Sequence, residues 1–281
     1  MPKARVNDCL IHYRQAGRGR DLVFIHGLFG NMALWYFSIL PPLTSHFRLC
    51  LYDMRGHGRS EMRERGYTSS NMADDLRGLL RHLGIGQAHL AGYSFGGAVA
   101  LHCATHYPET VLSLTLVDAW IPCFQQPFPR RNAFLAELRD LDPRRWEDQD
   151  VRKRRMLARG AIEQALLDAA QQGAVDVPIR LRPHPDIARV KQWARLTKAT
   201  SMGTEIFDTG DLTAGAVKRV TQPVQAIYGQ YSHCLPSLAG LQESLPQCVS
   251  AIVPRLGHFH PFLKPQVLLD NLKLLAIGEP S

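Results

Sequence analysis

The chain has 281 residues, 45% of them apolar and 21% charged, which suits one catalytic domain that carries an inserted subdomain. No run of about 18 apolar residues occurs, which excludes a transmembrane helix, and the start MPKARVNDCLIHY lacks the apolar stretch of a secretory signal. The net charge of +8 comes without a nucleic-acid-binding motif, so nucleic acid is not expected as a partner. Six scattered cysteines without CxxC or metal-like spacing read as buried, reduced thiols of a cytoplasmic protein.

Strand and helix signals alternate along the first half, the mark of a mostly parallel sheet with helices on its faces. The apolar run Asp21–His26 reads as a buried strand ending in Gly27, and Phe47–Tyr52 as a second ending at Asp53. Asn71 to Leu83 has helical spacing, with Met72, Leu76, Leu79, Leu80 and Leu83 on one side and Gly84 as its stop. Gln87–Gly92 is a third strand, followed directly by a helix rich in small residues, Phe95–Tyr107, which Pro108 ends; Val111–Val117 is a fourth strand. From about Ile121 to Val220 the pattern is helical without convincing strands. Strands resume at Pro223–Tyr228 and Val249–Val253, and Pro265–Ile277 forms a C-terminal helix. The expected division is therefore a core of residues 1–120 and 221–281 with a helical cap, 121–220, over the catalytic face.

Gly92-Tyr93-Ser94-Phe95-Gly96-Gly97 is a G-x-S-x-G sequence between a strand and a helix, the context a nucleophile elbow requires. The turn is so sharp that only small residues fit beside the serine, which accounts for Gly92 and Gly96. It lifts the Ser94 hydroxyl to a helix N-terminus, where backbone N–H groups stabilise a developing oxyanion. His26-Gly27-Leu28-Phe29-Gly30 follows the first buried strand, and its Leu28 N–H is expected to pair with the Phe95 N–H as the second oxyanion donor. His26 and Gly27 read as support for that turn. Asp53-Met-Arg55-Gly56-His57-Gly58-Arg59-Ser60 is structural, with His57 a turn histidine and not a base. Leu256-Gly257-His258-Phe259-His260-Pro261 follows the last strand, and a histidine there, after the serine in chain order, suits the general base.

These segments together resemble the α/β-hydrolase superfamily, in the branch of small cytosolic esterases, C–C hydrolases and thioesterases. HGLFG, DMRGHGRS, GYSFGG and GHFHPFLKP match its pattern in order and spacing over residues 1–120 and 221–281. The resemblance implies the α/β-hydrolase fold with an inserted cap. It also implies His258, which follows Gly257 and precedes Pro265 by seven residues, as the catalytic histidine in place of its neighbour His260.

One departure stands out. The family places its acid three residues after a glycine that follows the penultimate strand, and here, after Gly229, that position is Ser232; no carboxylate lies between Asp211 and Glu243. Three arrangements are open. The acid has moved to the end of the preceding strand, at Asp118, since adjacent strands lie about 5 Å apart. Or Ser94 and His258 act as a dyad, with Ser232 or a water orienting the imidazole. Or catalysis is lost and the protein binds a ligand.

The cap is the most basic region, densest from Arg144-Arg145 through Arg152-Lys-Arg-Arg155. This reads first as a solvated helix face, because Glu147, Asp148 and Asp150 are within reach of those arginines. The alternative is an anionic handle: a coenzyme A phosphate, an acidic carrier protein or a carboxylate. Trp120, Phe124, Phe128, Phe134, Trp146 and Trp193 either pack the cap on the core or line an acyl pocket. The expected enzyme hydrolyses an ester or thioester of a small-molecule acyl substrate through a Ser94 acyl-enzyme, without metal or organic cofactor. Acyl transfer or a lyase step at the same serine and histidine, and a non-catalytic binding role, are the competing readings.

Overall fold

The computed structural model describes residues 2–28, 30–36, 39–125, 192, 195–196 and 199–277. Eight strands form one sheet: β1 (Lys3–Val6), β2 (Cys9–Gly17), β3 (Arg20–Ile25), β4 (Phe47–Tyr52), β5 (Ala88–Tyr93), β6 (Val111–Val117), β7 (Val224–Gly229) and β8 (Val249–Val253). Their spatial order is β1-β2-β4-β3-β5-β6-β7-β8. The first two pairings, β1 with β2 and β2 with β4, are antiparallel, and all others are parallel.

Burial on both faces explains the short, almost wholly apolar strands at the centre. Every residue of β5 is buried. Side chains alternate between two cores, as the two-residue period of a strand demands. Val23 and Ile25 of β3, Leu90 of β5, and Leu114 and Leu116 of β6 join one core. Leu22, Phe24, Ala91, Tyr93 and Val117 join the other. Helices α1 (Ser69–His82) and α2 (Phe95–His106) pack in the first core through residues such as Leu76, Leu79, Val99 and Leu101. Later come α3 (Met202–Glu205), α4 (Ala214–Val217), α5 (Leu235–Ser244), α6 (His260–Leu263) and α7 (Pro265–Ile277). Leu268, Leu269 and Leu272 of α7 cover the opposite core together with Trp35 and Leu43.

Of the segment expected as a cap, the described part includes Met202, Ile206, Leu212 and Val217, which are buried in the same core as α1 and α2. The basic run 144–155 and Phe128, Phe134, Trp146 and Trp193 lie outside the described residues. Trp120 packs between Phe95 and Phe207, with ring centroids 5.8 and 5.9 Å away, and Phe124 lies against Gly240. No described helix is long and apolar enough to cross a membrane, and all six cysteines are unbridged.

In a parallel sheet the C-terminal ends of the strands open on one edge, where such folds place their ligands. The loops after β3, β5, β6, β7 and β8 all leave from that edge. Those loops carry His26 to Leu28, Ser94, Asp118, Ser232 and His258.

Candidate active site

No loop separates β5 from α2: Ser94 alone makes the turn, with φ 53° and ψ −124°. This left-handed backbone costs a non-glycine residue about 1–3 kcal/mol and has to be held by its surroundings. Here the Ser94 N–H donates to the Val117 carbonyl at 3.1 Å, while the Ser94 carbonyl accepts from the N–H groups of Gly97 (2.9 Å) and Trp120 (3.0 Å). Glycines are needed on either side because the turn brings backbone against backbone. A Cβ on Gly96 would lie 2.5 Å from the Ile25 carbonyl oxygen, and one on Gly92 would strike the Gly96 carbonyl.

The Ser94 hydroxyl lies 3.1 Å from His258 Nε2. His258 sits between β8 and α6, and its ring is gripped from two sides. The Tyr93 ring stacks on it with centroids 4.9 Å apart, and the His233 ring lies 4.5 Å away. The Tyr93 hydroxyl also donates to the His258 carbonyl at 3.3 Å.

On the far side of that ring is Asp118, the first residue after β6, fully buried and with φ 45°. Its N–H donates to the Ile227 carbonyl at 2.8 Å, which continues the pairing to β7 and aims the side chain along the edge of the sheet. Asp118 Oδ1 is 3.5 Å from His258 Nδ1 and accepts a hydrogen bond from the Ser232 hydroxyl. Asp118 Oδ2 accepts from the Gly229 N–H at 3.1 Å and lies 3.2 Å from His260 Nε2. Burial by itself would raise the pKa of this carboxyl. Hydrogen bonding and charge from His258 and His260 outweigh it and hold Asp118 ionised, well below the usual carboxylate range.

Ser232 therefore stands where the family pattern has its acid, but as a hydroxyl that braces a carboxylate from the neighbouring strand. The Cys234 N–H donates to the Ser232 oxygen at 2.9 Å, so the hydroxyl hydrogen is directed at Asp118. His260, the alternative base in the sequence, is fully buried behind Asp118, while His258 faces the serine.

The loop after β3 passes directly beside the elbow, since a Cβ on Gly27 would lie 2.9 Å from that of Ser94. Leu28 follows Gly27, and Phe95 is the first residue of α2, whose amide has no carbonyl four residues back within the helix. His26 braces this loop: its Nδ1–H donates to the Gly27 carbonyl at 2.7 Å, and its Nε2 accepts from the Met54 N–H at 3.0 Å. His57 is a buried turn residue, bonded through Nδ1 to the Arg55 carbonyl at 2.9 Å. Burial, with His26 nearby, pushes its pKa down to about 3.

Tyr93, His233 and Cys234 escaped the sequence reading. Cys234 Sγ lies 3.6 Å from His258 Nδ1, so thiol and carboxylate face the same ring nitrogen. The signal in the sequence was position alone: Tyr93 and His233 adjoin Ser94 and Ser232, and Cys234 lies two residues after Ser232.

A family model described as the alpha/beta hydrolase fold matches residues 22–250. The 2-(acetamidomethylene)succinate hydrolase of Mesorhizobium japonicum is 27% identical over 93% of this chain and 90% of its own length. The pimeloyl-[acyl-carrier protein] methyl ester esterase of Nitrosomonas europaea is 30% identical over 90% of this chain and 94% of its own. Among solved structures, carboxylesterase CesB of Bacillus subtilis superposes with a TM-score of 0.68 at 18% identity, over 99% of this chain and 91% of that one. The latter is a likeness of fold.

Proposed function

Because the chain belongs to the α/β hydrolase fold family and is a hydrolase of that fold, we propose that it cleaves an ester or thioester of a small or medium acyl group, with Ser94 as nucleophile, His258 as base and Asp118 as acid. The observation that carries this reading is the chain of contacts from Ser94 Oγ to His258 Nε2 at 3.1 Å and from His258 Nδ1 to Asp118 at 3.5 Å. An imidazole between a hydroxyl and a buried, ionised carboxylate is oriented to take the serine proton, and the carboxylate stabilises the imidazolium that forms. Separations of this length tighten when substrate binds.

In the proposed sequence Ser94 Oγ attacks the carbonyl carbon while its proton moves to His258 Nε2. The amides of Leu28 and Phe95 hold the oxyanion; such a donor is worth about 3–4 kcal/mol at the transition state. Collapse of the tetrahedral species expels the alcohol or thiol, which takes the proton from His258. Water then gives a proton to the same nitrogen as it attacks the Ser94 ester, and collapse of that second tetrahedral species returns the proton from His258 to Ser94 Oγ and releases the acid. A relative that is a methyl ester esterase supports the ester over other carbonyl substrates, and its acyl-carrier-protein substrate supports an acyl group presented on a carrier protein. In this reading residues 121–220 form the cap over the catalytic edge, and 1–120 with 221–281 form the core.

The test is labelling with a serine-directed fluorophosphonate, followed by intact mass. Wild type is expected to take up a single adduct that Ser94→Ala abolishes and Asp118→Asn slows strongly. Absence of an adduct on folded wild type would sink the serine mechanism. Labelling of Asp118→Asn at the wild-type rate would instead leave Ser94 and His258 as a dyad.

A further inference from the structure

At the far end of α2 from Ser94, the fold gathers a second set of chemical groups. His102 and His106 lie one helical turn apart, and Asp211, more than a hundred residues later in the chain, is set across them. His102 Nε2 is 3.2 Å from Asp211 Oδ1, and His106 Nε2 is 2.6 Å from Asp211 Oδ2. We propose that His102, His106 and Asp211 form a divalent-metal site of the zinc type, which ties the segment before α4 to the catalytic helix.

Three features point to a metal ion. The first is direction. His106 Nδ1 is 3.1 Å from the His102 carbonyl, which can only accept, so that nitrogen carries the hydrogen. His102 Nδ1 is 2.8 Å from the Ser69 hydroxyl. With each Nδ1 engaged, both Nε2 atoms face the carboxylate, and when the Ser69 hydroxyl accepts from His102 Nδ1–H, three electron pairs converge in an arrangement that a cation relieves. Hydrogen bonds of this kind on the remote nitrogen are the usual support of a ligating histidine.

The second feature is scale. Zinc with bonds of about 2.0–2.2 Å in a tetrahedron sets its ligand atoms about 3.3 Å apart. The ligand atoms here all lie within 4.8 Å of one another, and the two nitrogen–oxygen separations, 3.2 and 2.6 Å, lie below that spacing, so a bound ion would spread the ligand atoms by less than about 1 Å. Two imidazoles and a carboxylate suit zinc, cobalt or nickel and leave a fourth position for water.

The third is access with anchorage. His102 is fully buried and Asp211 exposed, so an ion enters from solvent onto a fixed nitrogen. Leu212, buried beside Asp211, holds the acid in place, and the Leu212 N–H donates to the Thr209 carbonyl at 2.9 Å. At 1.5 Å per helical residue, the two histidines stand about 12 and 18 Å along the axis from Ser94. The site is therefore structural and takes no part in acyl chemistry.

The test starts from protein freed of metal by chelation, titrated with Co²⁺ by visible absorption and with Zn²⁺ by calorimetry. The variants are His106→Ala, Asp211→Asn and Cys234→Ser. The last matters because His233, Cys234 and His258 are the other described group able to hold an ion. Wild type and Cys234→Ser are expected to bind one equivalent at the proposed site. Affinity should fall more than about tenfold in His106→Ala and Asp211→Asn, since loss of outer-shell support alone costs that much. The rise in Tm that Zn²⁺ gives wild type should vanish in both. Asp211 is exposed, so its asparagine variant keeps the test open should His106→Ala fail to fold. Failure of wild type to bind overturns the proposal. So does an equivalent that survives both His106→Ala and Asp211→Asn, or one lost only in Cys234→Ser.

Discussion

Asp118 receives hydrogen bonds from β7 and its following loop, so its carboxylate is held before any substrate arrives. Asp118→Asn keeps the shape but loses the charge that supports imidazolium; kcat is expected to fall about 10⁴-fold, measured on any ester that wild type turns over. Ser232→Ala removes a hydrogen bond to a charged acceptor and should cost about 2 kcal/mol in urea unfolding. The sharper experiment restores the family pattern. In Asp118→Asn/Ser232→Asp the carboxylate returns to the loop after β7, beside the same imidazole, and should recover part of the activity that Asp118→Asn loses. A double variant no faster than Asp118→Asn would count against acid relocation. His258 and His260 are two residues apart with similar neighbours, and only the turn into α6 sends one ring to Ser94 and the other behind Asp118.

The elements were readable in proportion to how far local pattern decides them. The strands near 21–26, 47–52, 87–92, 111–117, 223–228 and 249–253, and the three long helices, are present with ends shifted by no more than two residues. Helix α1 starts at Ser69, earlier than its apolar spacing suggests, because the Thr68 side chain accepts from the Asn71 N–H at 3.0 Å. Thr68→Ala should cost about 1 kcal/mol of stability by urea denaturation without altering labelling of Ser94. Strands β1 and β2 went unread: their outer residues are exposed and mixed in polarity, and antiparallel partners supply the order that the local pattern lacks. Helix α5 was hidden by the short stretch and the proline at its start. At the elbow a methyl group is enough to conflict with β3. Gly96→Ala should destabilise by about 1–3 kcal/mol and slow fluorophosphonate labelling, because Ser94 can no longer keep its turn.

Across the whole molecule, the buried titratable groups set the response to acid. The His26 and His57 rings lie 5.3 Å apart, and burial lowers the pKa of both. For His57 the fall is from 6.5 to about 3, so the folded state binds fewer protons than the unfolded chain between those values. Its contribution is complete above pH 6.5 and is lost as the pH falls toward 3. Asp118 acts in the same direction at lower pH: its carboxylate is favoured in the fold, and that advantage disappears below about pH 4, where the unfolded carboxyl takes up its proton. The urea midpoint should hold steady from about pH 6.5 to about pH 8, where the buried thiols of Cys9, Cys50 and Cys103 are still protonated in both states, and decline continuously from about pH 6.5 downward. A midpoint unchanged down to pH 4 would mean that the two rings are not buried neutral in solution.

The sequence by itself determined the alternation that builds the sheet, the strand-turn-helix at Ser94 and the glycines that make it feasible. These rest on periodicity and on steric demands within a few residues. It also showed that the acid was missing from its customary loop. What only the tertiary structure decided was where a carboxylate reaches the imidazole. That depends on β6 and β7 lying side by side, and on the loop after β7 folding back so that Ser232 meets Asp118, 114 residues away in the chain. The same holds for His102, His106 and Asp211. Spacing sets the two histidines on one face of α2, but only the packed fold brings the acid to them.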